Sequence, residues 1–102
     1  MSSTAYSLTP LAENDLDETW DYVAENFGFD AADAVLEALH SAFRLLASNP
    51  GIGHAKEEIA PPPYSFWPVG PSLVAFRSDV HPVQILRVVR AERDWSKVVL
   101  GE

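Results

Sequence analysis

The stretch YSFWPVGPSLVAFRSDVHPVQILRVV, residues 64–89, decides the fold. It divides into three runs rich in β-branched and aromatic residues: Tyr64–Val69, Leu73–Arg77 and Val83–Val89. Gly70-Pro71-Ser72 and the segment Ser78–Pro82 separate them and hold the residue types that turns favour. Links this short join neighbouring strands of opposite direction, so the three runs predict an antiparallel meander.

Working back from Tyr64, residues 51–63 turn to Gly, His, Lys and Glu and end in Pro61-Pro62-Pro63. Consecutive prolines cannot occupy a central strand, so this is a connecting loop. Before it, Val35, Leu39, Ala42, Phe43 and Leu46 mark one face of a helix over about Asp30–Ser48. Asp30 is the expected N-cap, with Asp33 three residues on in a near capping-box arrangement. Asn49-Pro50-Gly51 closes the helix, because the residue before proline is pushed out of the α region. Further back, Leu16, Trp20, Val23 and Phe27 recur at spacings of four, three and four, predicting a helix over Ala12–Asn26. Asp15, Asp17, Glu18, Asp21 and Glu25 fill the remaining positions and are read as an acidic outer face. Gly28 stops this helix, giving an αα-hairpin. Ala5–Thr9 reads as a short strand ended by Thr9-Pro10. The order strand, two helices, three strands is an α+β arrangement with the helical hairpin packed on one sheet face.

With 102 residues, 47% of them hydrophobic, the chain supports one core, and residues 1–102 are expected to form one domain. The absence of cysteine excludes disulfides, a thiolate nucleophile and Cys-ligated metal centres, and fits a reducing cytoplasm. Met1–Ala12 has neither a basic leader nor an apolar export core, and no run approaches the length of a bilayer span, so a membrane location is not expected. A net charge of −8 argues against direct nucleic-acid binding by the chain alone. That charge is unevenly placed. Residues 1–60 hold eleven acids against Arg44 and Lys56, whereas residues 61–102 hold five bases against four acids.

Several blocks stand out in order: Asp15-Leu16 with Trp20, Tyr22 and Val23; Leu45–Gly53 (LLASNPGIG); Phe66-Trp67-Pro68-Val69-Gly70; Ala75-Phe76-Arg77; and Ile85–Asp94 (ILRVVRAERD). In that order they resemble the ParE/RelE toxin-antitoxin superfamily, nearer its ParE branch. Together they cover about residues 5–96. The resemblance implies a ParE/RelE-like fold and the toxin half of a two-gene module, held silent by a tightly bound antitoxin in a hetero-oligomer. ParE-like members block DNA gyrase by binding, without known chemistry, and the ending Arg87–Asp94 looks like the ParE version. RelE-like members instead cut messenger RNA on the ribosome with a basic and aromatic cluster on the concave sheet face. The chain departs from the ParE pattern at Ser65, where an arginine is usual, at Phe76, where tyrosine is frequent, and at Arg90, where histidine is common. Its acid-rich first half is also unusual for a toxin. The leading expectation is a ParE-like gyrase inhibitor. The alternatives are a RelE-like ribonuclease and a degenerate toxin that keeps only antitoxin binding.

No cofactor, metal or catalytic residue is expected. His40, His54 and His81 are too scattered for metal-ligand spacing. The expected target-binding residues are Arg87, Arg90, Arg93 and Trp95, in the only basic region of an acidic chain, with Arg77 a further candidate. On a straight strand Arg87 would share a face with Val89, and Arg90 with Val88, so one arginine must meet the helices or a salt bridge. Arg93-Asp94 is a natural ion-pair candidate. Trp95 serves either to pack the C-terminal segment or to anchor a partner.

Overall fold

The computed structural model describes residues 6–100. Its elements are β1 (Tyr6–Leu8), α1 (Pro10–Phe27), α2 (Phe29–Ser48), β2 (Tyr64–Val69), β3 (Ser72–Arg77) and β4 (Val83–Arg90), with 3-10 turns at Pro50–Ile52 and Trp95–Lys97. The expected start of the first strand, Ala5, lies outside the described residues. One mixed sheet has the order β1-β4-β3-β2. The meander β2-β3-β4 is antiparallel, as its short turns require. β1 adds to the far edge of β4 in parallel, with Tyr6 opposite Val83 and Leu8 opposite Ile85. A parallel neighbour needs a long crossover, and the α1-α2 hairpin supplies part of it.

Thr9 starts α1. Its Oγ1 accepts from Ala12 N at 3.0 Å and donates to Leu86 O at 2.9 Å, while Pro10 occupies the first turn, where no N–H is needed. The helix therefore begins already fastened to β4. Gly28, at φ 97°, reverses the chain within one residue: its N–H donates to Ala24 O and its carbonyl accepts from Ala32 N. The expected Asp30 cap is not formed. Gly28 holds the N-cap position of α2 without a side-chain bond, and Asp30 lies in the first helical turn, where its charge suits the helix dipole. Asp33 is likewise not a capping partner, because its carboxylate accepts from Trp20 Nε1 across the hairpin at 2.9 Å.

The helices cover one sheet face, with Leu16, Leu39, Phe43 and Leu46 packed on Val74, Phe76, Val83, Ile85 and Val88. Burying each such large side chain contributes about 1.5–3 kcal/mol. The other face is covered as well. Phe66, Leu73, Ala75, Leu86 and Val89 lie beneath Ala60 and Ile59 of the loop and Trp95, Val98 and Leu100 of the C-terminal segment. With both faces covered, the central strand β3 is buried at five of its six positions, which explains its uninterrupted apolar text. Gly53 is required by close approach, since a Cβ there would overlap the Phe76 ring.

Two readings of α1 are corrected. Phe27, placed on the inner stripe by its spacing, is exposed, because the helix runs on past the sheet and its last turns have no sheet beneath them. Asp15, assigned to the outer face, is buried between α1 and β4. It falls at i+3 from buried Ala12 and beside buried Leu16, which places it on the inward side of the helix.

Candidate functional site

A β-bulge organises the region where α1 crosses β4. Ala75 pairs with Arg87 and the next residue, Phe76, with Ile85, so Leu86 is the extra residue on β4. The bulge leaves backbone groups without sheet partners, and α1 supplies them: Thr9 Oγ1 donates to Leu86 O, and Val88 N donates to Asp15 Oδ2 at 2.9 Å. It also breaks the simple alternation of the strand. Beyond it the register is regular: Arg87 stands opposite Ala75 on the face it shares with Val89, as alternation predicts, and its long side chain reaches both Asp15 of α1 and Val99 O of the C-terminal segment.

Arg87 grips Asp15 at two points, Nε to Oδ2 at 2.7 Å and Nη2 to Oδ1 at 2.9 Å, and donates Nη1 to Val99 O at 2.8 Å. Asp15 is 6% exposed, and no buried side-chain polar atom among the described residues is left unpartnered. The hydrogen bonds that Arg87 donates to Asp15 raise its pKa above the ordinary value against the effect of burial, with the nearby charges of Asp15 and Glu18 adding to it. Arg87 is thus committed to holding α1, β4 and the C-terminal segment together.

Beyond this corner, α1 and α2 overhang the end of the sheet and leave a groove of about 440 Å³. Val23, Val35, Leu39, Val69 and Val88 line it with aliphatic surface. Glu18 and Tyr22 stand on the helical wall, Arg90 and Arg93 on the sheet wall. The turn after β4 carries these two arginines. Ala91 N donates to Pro71 O, Arg93 N to Arg90 O, and Trp95 Nε1 to Arg90 O at 3.3 Å. Arg90 bonds Glu92 at 2.8 Å; that contact raises the Arg90 pKa and lowers that of Glu92. Among the described residues Arg93 makes no ion pair. Its expected partner Asp94 instead caps the last 3-10 turn, accepting from Ser96 N and Oγ.

The five residues singled out by sequence therefore separate. Arg90 and Arg93 meet at the groove rim. Trp95, 7% exposed and edge-on to Phe66, lies beneath the turn and offers no free face to a partner. Its place is fixed by the second core, which the residue pattern did not define. Arg77, at the other end of β3, pairs with Asp79 at 3.0 and 2.7 Å, with its guanidinium 6.0 Å from the Tyr64 ring centroid. That hydrogen bond holds the Asp79 carboxyl below its usual pKa. The residue missed by sequence reasoning is Asp15. Its signal was the inward spacing from Ala12, coupled to an arginine set among the apolar residues Ile85, Leu86, Val88 and Val89 of β4.

Among the described residues no cluster of three His, Cys, Asp or Glu could hold a metal, and no helix is long and apolar enough to cross a membrane. His40 accepts or donates at Nδ1 with the Tyr6 hydroxyl at 2.8 Å, and His54 stacks on Trp67 with ring centroids 5.6 Å apart.

Comparison with known proteins places these features in a family. Residues 6–95 match the model for the ParE toxin of the type II toxin-antitoxin system, parDE. The chain is 41% identical over 59 residues to a protein named Toxin ParE1 from Mycobacterium tuberculosis, covering 58% of this chain and 60% of that relative's length. It is 30% identical over 84 residues to Toxin ParE1 of Caulobacter vibrioides, covering 82% of this chain and 85% of the relative. A chain from a solved structure titled as the chromosomal ParDE TA system from P. aeruginosa superposes with a TM-score of 0.74 at 24% identity, over 85% of this chain and 95% of that one, and shows the same fold. A family match from the first strand to Trp95, over an architecture shared with that structure, is decisive: the chain belongs to the ParE toxin family of type II toxin-antitoxin systems.

Proposed function

We propose that this ParE-family toxin acts in the cytoplasm by binding DNA gyrase and blocking it without chemistry of its own, and that a cognate antitoxin neutralises it by laying a segment into the groove. The observation that carries the reading is the groove itself: an aliphatic trough flanked by Arg90 and Arg93 on one side and Glu18 and Tyr22 on the other. Such a trough suits an amphipathic segment that orders on binding, with apolar anchors below and polar groups on the rim. A segment seated there covers Arg90 and Arg93, so one event both fills the groove and removes two target contacts. Arg87 and Trp95 serve the same surface from behind, by fixing the strand and turn that present it.

The sheet face away from the helices favours binding over ribonuclease chemistry. Phe66, Leu73, Ala75, Leu86 and Val89 occupy it, under Trp95 and Leu100. RNA cleavage needs a general base, a general acid and cations around one phosphate, and this apolar layer offers none of them.

The test is a supercoiling and cleavage-complex assay with purified gyrase and the full chain, with and without an equimolar amount of the antitoxin encoded beside it. Inhibition relieved by the antitoxin is expected. Normal supercoiling at large molar excess of the chain would rule gyrase out as the target.

A further inference from the structure

The hairpin tip carries a second surface that the groove does not use. Phe27 is 70% exposed and Phe29 is 69% exposed. They flank the reversal at Gly28, and neither phenylalanine lines the groove. This tip is held in place. The Phe29 ring stacks on Trp20 with centroids 5.5 Å apart and planes 19° from parallel, Trp20 Nε1 is bonded to Asp33, and Gly28 is tied into both helices. A ring fixed as that of Phe29 is loses little freedom when a partner covers it, which is the property of an interface anchor, and Phe27 stands beside it across the glycine.

Charge selects the partner. Asp21, Glu25 and Asp30 are exposed on the same turns, and no lysine or arginine precedes Arg44 in the chain. A second copy would bring acidic surface against acidic surface, which is costly. An antitoxin segment in the groove lies away from both phenyl rings. An enzyme that handles DNA exposes basic surface to its substrate, and such a surface complements this tip in sign. We propose that Phe27 and Phe29 form a second docking point for the target, seated in an apolar recess on a basic surface of gyrase, with Asp21, Glu25 and Asp30 facing its cations. The proposal rests on gyrase as the target, and it adds to the Arg90 and Arg93 rim a contact at the far end of the hairpin.

Binding of the full chain to purified gyrase, measured at low and raised salt, tests it. Two variants are used: Phe27→Ser with Phe29→Ser, and Asp21→Lys with Glu25→Lys, which leaves the rings in place; thermal unfolding confirms that each is folded. Both variants are expected to lose at least about ten-fold in affinity, and the parent is expected to weaken as salt rises. Parent-like affinity in both variants would overturn the docking point while leaving gyrase as the target. A parent chain that does not bind gyrase would overturn this proposal and the functional reading together.

Discussion

Arg87 and Arg90 stand three residues apart on β4 and do opposite work. Arg87 lies behind the sheet end, its guanidinium closed on a buried carboxylate, a backbone carbonyl and the crossing of α1. Arg90 projects from the strand's last position, bonded to a Glu92 that is itself exposed. Strand alternation and reach make the difference: three residues apart, the two arginines stand on opposite faces, and only Arg87 lies where a buried carboxylate of α1 can meet it. Basic residues in an acidic chain are therefore not equivalent evidence of a binding site. What matters is whether the fold already uses the charge.

The strongest way to break this contrast is Asp15→Ala. It strands the Arg87 guanidinium and Val88 N in a buried corner, and a loss of about 3–5 kcal/mol is expected, measured by urea unfolding. Arg87→Ala is expected to destabilise nearly as much. A parent-like unfolding midpoint for either would show that the corner is not structural. Gly53→Ala comes next. Its methyl overlaps the Phe76 ring, so about 1–3 kcal/mol should be lost in the same measurement. Trp95→Phe keeps an aromatic ring in the second core but removes the bond to Arg90 O, and about 1 kcal/mol is expected. Antitoxin affinity should fall with it, since the turn presenting Arg93 loosens; unchanged affinity would separate the turn from the groove's function.

At the rim the expected stability changes are small and the binding changes are not. Arg90→Ala and Arg93→Ala should each leave the unfolding midpoint nearly unchanged while weakening partner binding at least ten-fold in a titration. The smallest effect is in pH. The Glu92 pKa is depressed by Arg90, so the contact is present above the usual glutamate value of 4.5 and is lost as pH falls through the lower folded value. An NMR titration of the Glu92 carboxyl should show a midpoint below 4.5 that returns toward it in Arg90→Ala. The Arg87 shift has the opposite sign. Its contribution is complete below the ordinary arginine value and is lost only as pH rises through the still higher folded one, so the corner should be insensitive to pH near neutrality.

Periodicity and turn chemistry made most of the architecture readable. Both helices, the Gly28 reversal and the bounds of β2 follow from the spacing of Leu39, Phe43 and Leu46, from glycine, and from alternating β-formers. Three features were not readable, and each has a physical cause. The parallel pairing of β1 with β4 joins residues nearly the whole chain apart, and no local pattern encodes it. The bulge depends on Thr9 and Asp15 arriving to satisfy Leu86 and Val88. Phe27 obeys the helical stripe but overshoots the sheet, a matter of relative element lengths. Of the residues singled out for the site, Arg90 and Arg93 lie at the groove rim, whereas Arg87 and Trp95 are held by distant segments, and burial of that kind leaves no trace beside them in sequence.

The pairing of β1 with β4 also sets the order of events during synthesis. Tyr6 waits for Val83, Thr9 for Ile85 and Asp15 for Arg87, so the N-terminal half leaves the ribosome with its partners still untranslated. Contacts of such long sequence separation form late and slow the folding step. The strand that closes the sheet is also the strand that ends at Arg90, with Arg93 on the turn just beyond. The groove rim is therefore not assembled until residues as late as Arg93 have been made, and it arises in the same step as the closing of the sheet.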